Sequence, residues 1–211
     1  MSEQDRTRWL LTGGVMGPVL FVLVFLVLGW TRSDYDPVRH FVSTLSLTDE
    51  GWQQIANFVI TGILFICGGV GLRRAMRDGP GSRWGPILIG LSGVALVLAG
   101  IFVTDPANGY PPGAPAGIPT TSSWHGTIHD FASLFVFLGL PIASFVVARR
   151  FRGDGSPWAL YSVGSGVGML AGFVLMFVLQ DWIGLIQRIA VIIGFGWVAL
   201  LCLRFRREVA G

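Results

Sequence analysis

The residues with the densest chemical potential occupy one short stretch, Trp124-His125-Gly126-Thr127-Ile128-His129-Asp130. On a helix, His125 and His129 lie four residues apart on one face, with Ser133 one further turn along. Asp130 lies about 100° around the helix and is free to serve another partner. Two histidines at i and i+4 form half of a metal site, and catalytic zinc usually takes three protein ligands and keeps one position for water. His40 or Asp105 is the expected third ligand, and zinc-bound water with a pKa lowered to about 7 attacks esters and amides. The competing reading is helix capping, in which His125 starts the helix at the membrane surface and His129 bonds a carboxylate.

Other polar residues could join this group. Arg188 sits about one turn inside an apolar segment, where an unpaired arginine costs roughly 2.5 to 3.5 kcal/mol on insertion scales, so a pair with Asp105 or Asp130 is expected. The same arginine could instead grip a lipid phosphate or carboxylate through its planar fork. Ser43 is a potential nucleophile with His40 as its base, or else a cap. Asn57 is either a contact between helices or a pocket ligand. Arg39, Asp130 and Gln187 complete the expected lining of a polar cavity.

These residues must be positioned by membrane-spanning helices. The chain has 211 residues, of which 52% are hydrophobic and 13% charged, a balance that marks an integral membrane protein. Six apolar segments are long enough to span a bilayer, at about 10–30, 54–72, 85–103, 131–148, 158–179 and 183–203. In lipid the backbone must satisfy itself, so the fold class is all-α, one polytopic bundle over residues 1–211. The first segment follows Arg6 and Arg8, has no small-residue cleavage site and reads as a retained helix. Pro18 and Pro141 fall inside helices one and four and are potential kinks. Helix five carries Gly164, Gly168 and Gly172 at small-x-x-x-small spacing, which places it at the centre of the bundle.

All 15 basic residues are arginine. Twelve of them (6, 8, 73, 74, 77, 83, 149, 150, 152, 204, 206 and 207) flank one set of helix ends, against Arg32, Arg39 and Arg188 at the other. The positive-inside rule then puts both termini in the cytoplasm and loops one, three and five outside, with all three histidines on the outer side. Clusters of this kind beside apolar segments are topology signals, so the net charge of +3 does not indicate nucleic acid. Cys67 and Cys202 lie inside apolar runs and belong to no C-x-x-C or zinc pattern. Trp9, Trp30, Trp52, Trp84, Trp124, Trp158 and Trp182 fall near helix ends as interfacial anchors.

In order along the chain stand Tyr35-Asp36-Pro37-Val38-Arg39-His40, Asn57-Phe58, Ala99-Gly100-Ile101-Phe102 with Asp105-Pro106, Gly126-Thr127-Ile128-His129-Asp130 and Gly184-Leu185-Ile186-Gln187-Arg188. In these the chain resembles the bacterial and archaeal membrane family catalogued as domain of unknown function 998. That resemblance covers nearly the whole chain and implies a six-helix membrane bundle, with no activity attached. The chain is similar, more weakly, to the alkaline ceramidases and adiponectin-receptor-like proteins, in which three histidines hold zinc beside a serine and an aspartate. His40, His125, His129, Ser43 and Asp105 match that inventory, but those proteins have seven helices and carry the paired histidines in the last.

The sequence therefore predicts a multi-pass protein of the cell membrane with an outward polar cavity lined by His40, Ser43, Asn57, Asp105, His125, His129 and Arg188. Two functions follow from it. One is an enzyme acting on a lipid-like or isoprenoid substrate, by zinc-assisted hydrolysis or by acid catalysis from a buried carboxylate such as Asp105. The other is a non-catalytic lipid-binding or scaffolding protein whose polar cluster is structural. Transport is less suited to a short chain with no internal repeat. Within the heptad His129 is the stronger candidate, because it lies deeper than His125.

Overall fold

The computed structural model describes residues 1–153 and 156–209. Six helices form the fold: α1 (Glu3–Thr31), α2 (Trp52–Met76), α3 (Trp84–Ile101), α4 (Trp124–Ala148), α5 (Trp158–Val178) and α6 (Ile183–Glu208). All six are long and apolar enough to cross a membrane. Short 3₁₀ turns at Val42–Ser46, Arg149–Phe151 and Gln180–Trp182 lie between them.

Several helices start before their apolar segments because local caps reach into the interface. At α1, Ser2 and Asp5 form a reciprocal capping box. Trp52, Trp84, Trp124 and Trp158 each open a helix, where an amphipathic ring suits the boundary between headgroups and water. Pro18 and Pro141 lie within α1 and α4, both of which continue as single helices.

Consecutive helices pack side by side, and α6 returns to α1, so the six close into a ring. Across its middle α2 meets α6, and Phe21, Phe58, Phe65 and Phe195 interlock there with ring centroids 4.8 to 5.1 Å apart. The thiols of Cys67 and Cys202 are free, and Cys202 is fully buried.

The expectation that helix five is central is wrong. Only 28% of the apolar window of α5 is buried, the least of the six, and Gly164 faces open space. Close backbone approach occurs on α2 instead. A Cβ on Gly68 would fall 2.7 Å from Gly14 Cα on α1, and one on Gly93 of α3 would fall 2.6 Å from the Gly62 carbonyl oxygen. Of the three glycines at small-residue spacing on α5, Gly164 has no neighbour, whereas Gly168 and Gly172 lie against α6, where a Cβ on Gly172 would fall 2.7 Å from Ala190 Cβ.

This packing predicts opposite outcomes for two similar substitutions. Gly68→Ala forces two backbones apart and lowers stability to thermal unfolding in detergent by about 1–3 kcal/mol. Gly164→Ala meets nothing within 4 Å and leaves stability unchanged or slightly raised, through better helix propensity.

Candidate functional site

The polar residues gather where loop one, loop three and the short turn before α6 meet. Helix α3 stops at Ile101, so its last carbonyls have no partner within the helix. Two histidines of α4 supply one. His129 Nδ1 lies 2.9 Å from the Ala99 carbonyl oxygen and 3.0 Å from that of Phe102, and His125 Nδ1 lies 2.8 Å from that of Val103. A carbonyl can only accept, so each Nδ1 carries a proton, and in a neutral ring Nε2 is left as the acceptor.

The reverse contact caps α4. Both oxygens of Asp105, just past α3, accept from Ser123, one from its amide and one from its hydroxyl, each at 2.7 Å. Ser123 is the N-cap of α4 and accepts in turn from the Gly126 amide. The Asp105 carboxylate lies where a side chain on residue 126 would stand, which requires glycine there. A negative charge against the first turn of a helix also suits its dipole.

Arg188 does not pair with Asp105 or Asp130, contrary to expectation, and among the described residues it pairs with no carboxylate. Its guanidinium donates to the carbonyls of Pro37 at 2.7 Å, His40 at 3.0 Å and Gly184 at 2.9 Å, and to the Tyr35 hydroxyl at 2.5 Å. It also lies 5.4 Å from the Tyr35 ring centroid and 5.8 Å from that of Phe25, close enough for cation–π attraction. Three of its four hydrogen-bonded contacts go to loop one, and the side chain is buried. Burial pushes the Tyr35 phenol up to about 12 despite the guanidinium beside it, so it remains a neutral donor to the carbonyl of Phe41 at 2.8 Å.

His40 belongs to the same loop assembly. Its Nδ1 accepts from the Asp36 amide at 2.9 Å, the opposite tautomer from His129, and the ring also bonds the Asn108 backbone in loop three. It packs against Tyr35 and Tyr110 at centroid distances of 5.2 Å. Burial lowers the pKa of His40 and raises that of Tyr110.

The three histidines are therefore not brought together as a zinc site, and no group of three or more His, Cys, Asp or Glu side chains among the described residues could hold a metal. Asn57 is also displaced from the expected lining: it donates to the carbonyl of Phe21 on α1 and to Gln54, each at 3.2 Å. Arg39 is exposed, 3.9 Å from Asp36.

The remaining expected residues do share a cavity of about 330 Å³ between α4, α5, α6 and the two loops. Ser43, Asp105, His129, Asp130, Ser133 and Gln187 form its polar end; Phe41, Phe137, Phe173, Met176 and Phe177 form its apolar wall. A smaller void of about 40 Å³ extends from Ser43, Ser133 and Gln187 toward Phe58 and Phe195 at the ring centre. Gln187 accepts from the Val42 amide at 2.7 Å and so holds the 3₁₀ turn carrying Ser43. Asp105 and Asp130 both lie within electrostatic reach of His129. The wall residues Phe173, Met176 and Phe177 were missed in the sequence, although their i, i+3 and i+4 spacing makes one stripe on α5.

Fold and site together define a polytopic all-α membrane protein with a half-polar cavity at one end of its helix ring. The chain belongs to the family described as a protein of unknown function (DUF998), whose model matches residues 15–204. No curated protein and no solved structure matches it.

Two stability predictions follow from the hydrogen bonding. Arg188→Ala removes the side-chain donor to the Pro37 and His40 carbonyls of loop one and lowers stability in detergent by about 1–3 kcal/mol; Arg188→Lys, with fewer donors, recovers only part of it. His40 is held neutral in the fold, so the unfolded chain binds the extra proton and stability falls as pH drops below about 6.5, levelling off below the folded pKa. Melting curves against pH should show a shallower acid loss in His40→Gln than in the unaltered protein.

Proposed function

We propose that this protein holds a lipid-like or isoprenoid-like amphiphile, with its polar end against Ser43, His129, Asp130 and Gln187 and its chain along Phe137, Phe173 and Met176. The observation that carries this reading is the division of the cavity lining into a polar end and an aromatic wall. The rim supports it: Leu134 on α4 and Phe177 on α5 line the cavity and remain 38% and 55% exposed, so the mouth opens sideways, where a bilayer would lie. The arginine clusters lie at the opposite end of the ring, so this mouth faces the outer leaflet, and the cell membrane is the expected location.

Native mass spectrometry of the purified protein tests this directly. The expected result is a retained amphiphile that is lost in Met176→Trp, which fills the apolar wall; a protein that carries and takes up no amphiphile overturns it.

A second reading, an acid–base activity on the bound molecule, rests on one observation. Two carbonyls fix His129 Nδ1 as a donor, which leaves Nε2 of a cavity-lining ring as a base. His129→Gln keeps an N–H for those carbonyls but removes the base. Turnover of a long-chain ester lost in that variant, with binding intact, supports catalysis; equal turnover refutes it.

A further inference from the structure

The charge of the cavity narrows the class of headgroup. Its lining holds the carboxylates of Asp105 and Asp130, and no arginine is among the lining residues described. Asp105 is fixed in place by its two bonds from Ser123. Asp130 makes no hydrogen bond or ion pair among the described residues, although it lies at the wall and within electrostatic reach of His129 and Asp105. A phosphate headgroup would meet two like charges there with no cation to offset them. An ammonium group would meet two opposite charges in a partly desolvated site, where such attraction is strongest.

One further feature favours a cation, and a second favours a ligand of any kind. Phe41, Phe137, Phe173 and Phe177 all line the cavity, and ring faces attract ammonium groups, quaternary ones included. Ser43 is only 8% exposed, lines both the cavity and the inner void, and its hydroxyl has no partner among the described residues. That hydroxyl opens on the cavity and is available to a ligand there.

From this we infer that the cavity takes an amphiphile with a cationic ammonium headgroup, seated between Asp130, Asp105 and the phenylalanine rings, in preference to an alcohol or a phosphate of the same chain length. The inference rests on the amphiphile-binding reading above and adds the headgroup to it.

Three probes with one chain length separate the outcomes: dodecyltrimethylammonium, dodecanol and dodecyl phosphate, titrated against the full chain in a neutral detergent and counted by native mass spectrometry. The ammonium probe should saturate at a concentration at least about tenfold below that of the alcohol, with the phosphate weakest. Asp130→Asn, a near-isosteric change at an exposed position, should bring the ammonium and alcohol probes to within about threefold of each other. Met176→Trp should abolish specific binding of all three; if that variant does not fold, Ser43→Leu serves the same purpose. Ammonium binding no tighter than alcohol binding, or unchanged in Asp130→Asn, overturns the headgroup assignment and leaves the amphiphile cavity standing. Failure of every probe to bind in a way that the cavity-filling variant removes overturns both.

Discussion

A carbonyl left without a donor at the end of a membrane helix has no water to turn to, and the polar end of this protein is organised around that constraint. The carbonyls of Ala99, Phe102 and Val103 at the end of α3 are met by His129 and His125 of α4, and the start of α4 is met by Asp105 just beyond α3. Each helix thus closes the exposed end of the other. Arg188 does the same for loop one, and the magnitudes explain why it manages without a carboxylate. Each stranded buried carbonyl costs about 1–3 kcal/mol, so meeting those of Pro37 and His40 offsets much of the roughly 2.5–3.5 kcal/mol cost of placing one arginine among apolar segments. The phenol of Tyr35 and the rings of Tyr35 and Phe25 enclose the rest of the guanidinium.

The ring of helices has two unlike halves. Helices α1, α2 and α3 are drawn together through glycine contacts such as Gly14 with Gly68 and Gly62 with Gly93, at distances that leave no space for a ligand. Helix α5 stands at the periphery between α4 and α6, and its aromatic side chains hold the wall open; Phe173 stacks on Phe137 at a centroid distance of 5.4 Å. The cavity lies on this second side. A tightly packed half supports the half that binds.

The helices were legible in the sequence because bilayer thickness and backbone satisfaction leave few alternatives to long apolar helices. Their ends were less so, since capping groups such as Ser2 and Ser123 lie outside the apolar runs. The clustering of Ser43, Asp105, His129, Asp130 and Gln187 followed from placing the loops at one end, and these five do line one cavity. Their partners did not follow. His125, His129 and Arg188 bond backbone carbonyls, which every residue carries, so residue identity gives no clue to which carbonyl is used. The histidine pair suggested zinc for that reason: side-chain spacing shows which groups share a face, and the main chain opposite them leaves no mark in the sequence. The glycines of α5 were informative in part: the spacing marks a close contact with α6 at Gly172 but none at Gly164, and it does not say how central the helix is.

Because α6 packs against α1, helices at the two ends of the chain order described here are neighbours, and α1 is made well before α6. Arg206 reaches Thr12 at one end of that contact, and at the other Arg188 reaches Pro37, 151 residues earlier in the chain. Loop one therefore waits through the synthesis of four more helices before the donor for its carbonyls arrives. Gln187, which holds the turn bearing Ser43, arrives at the same moment. The α3 and α4 caps can form earlier, but the loop-one contacts wait for α6, so a chain that stalls before α6 exposes carbonyls that Arg188 otherwise covers, a mark by which quality control in the membrane can recognise it.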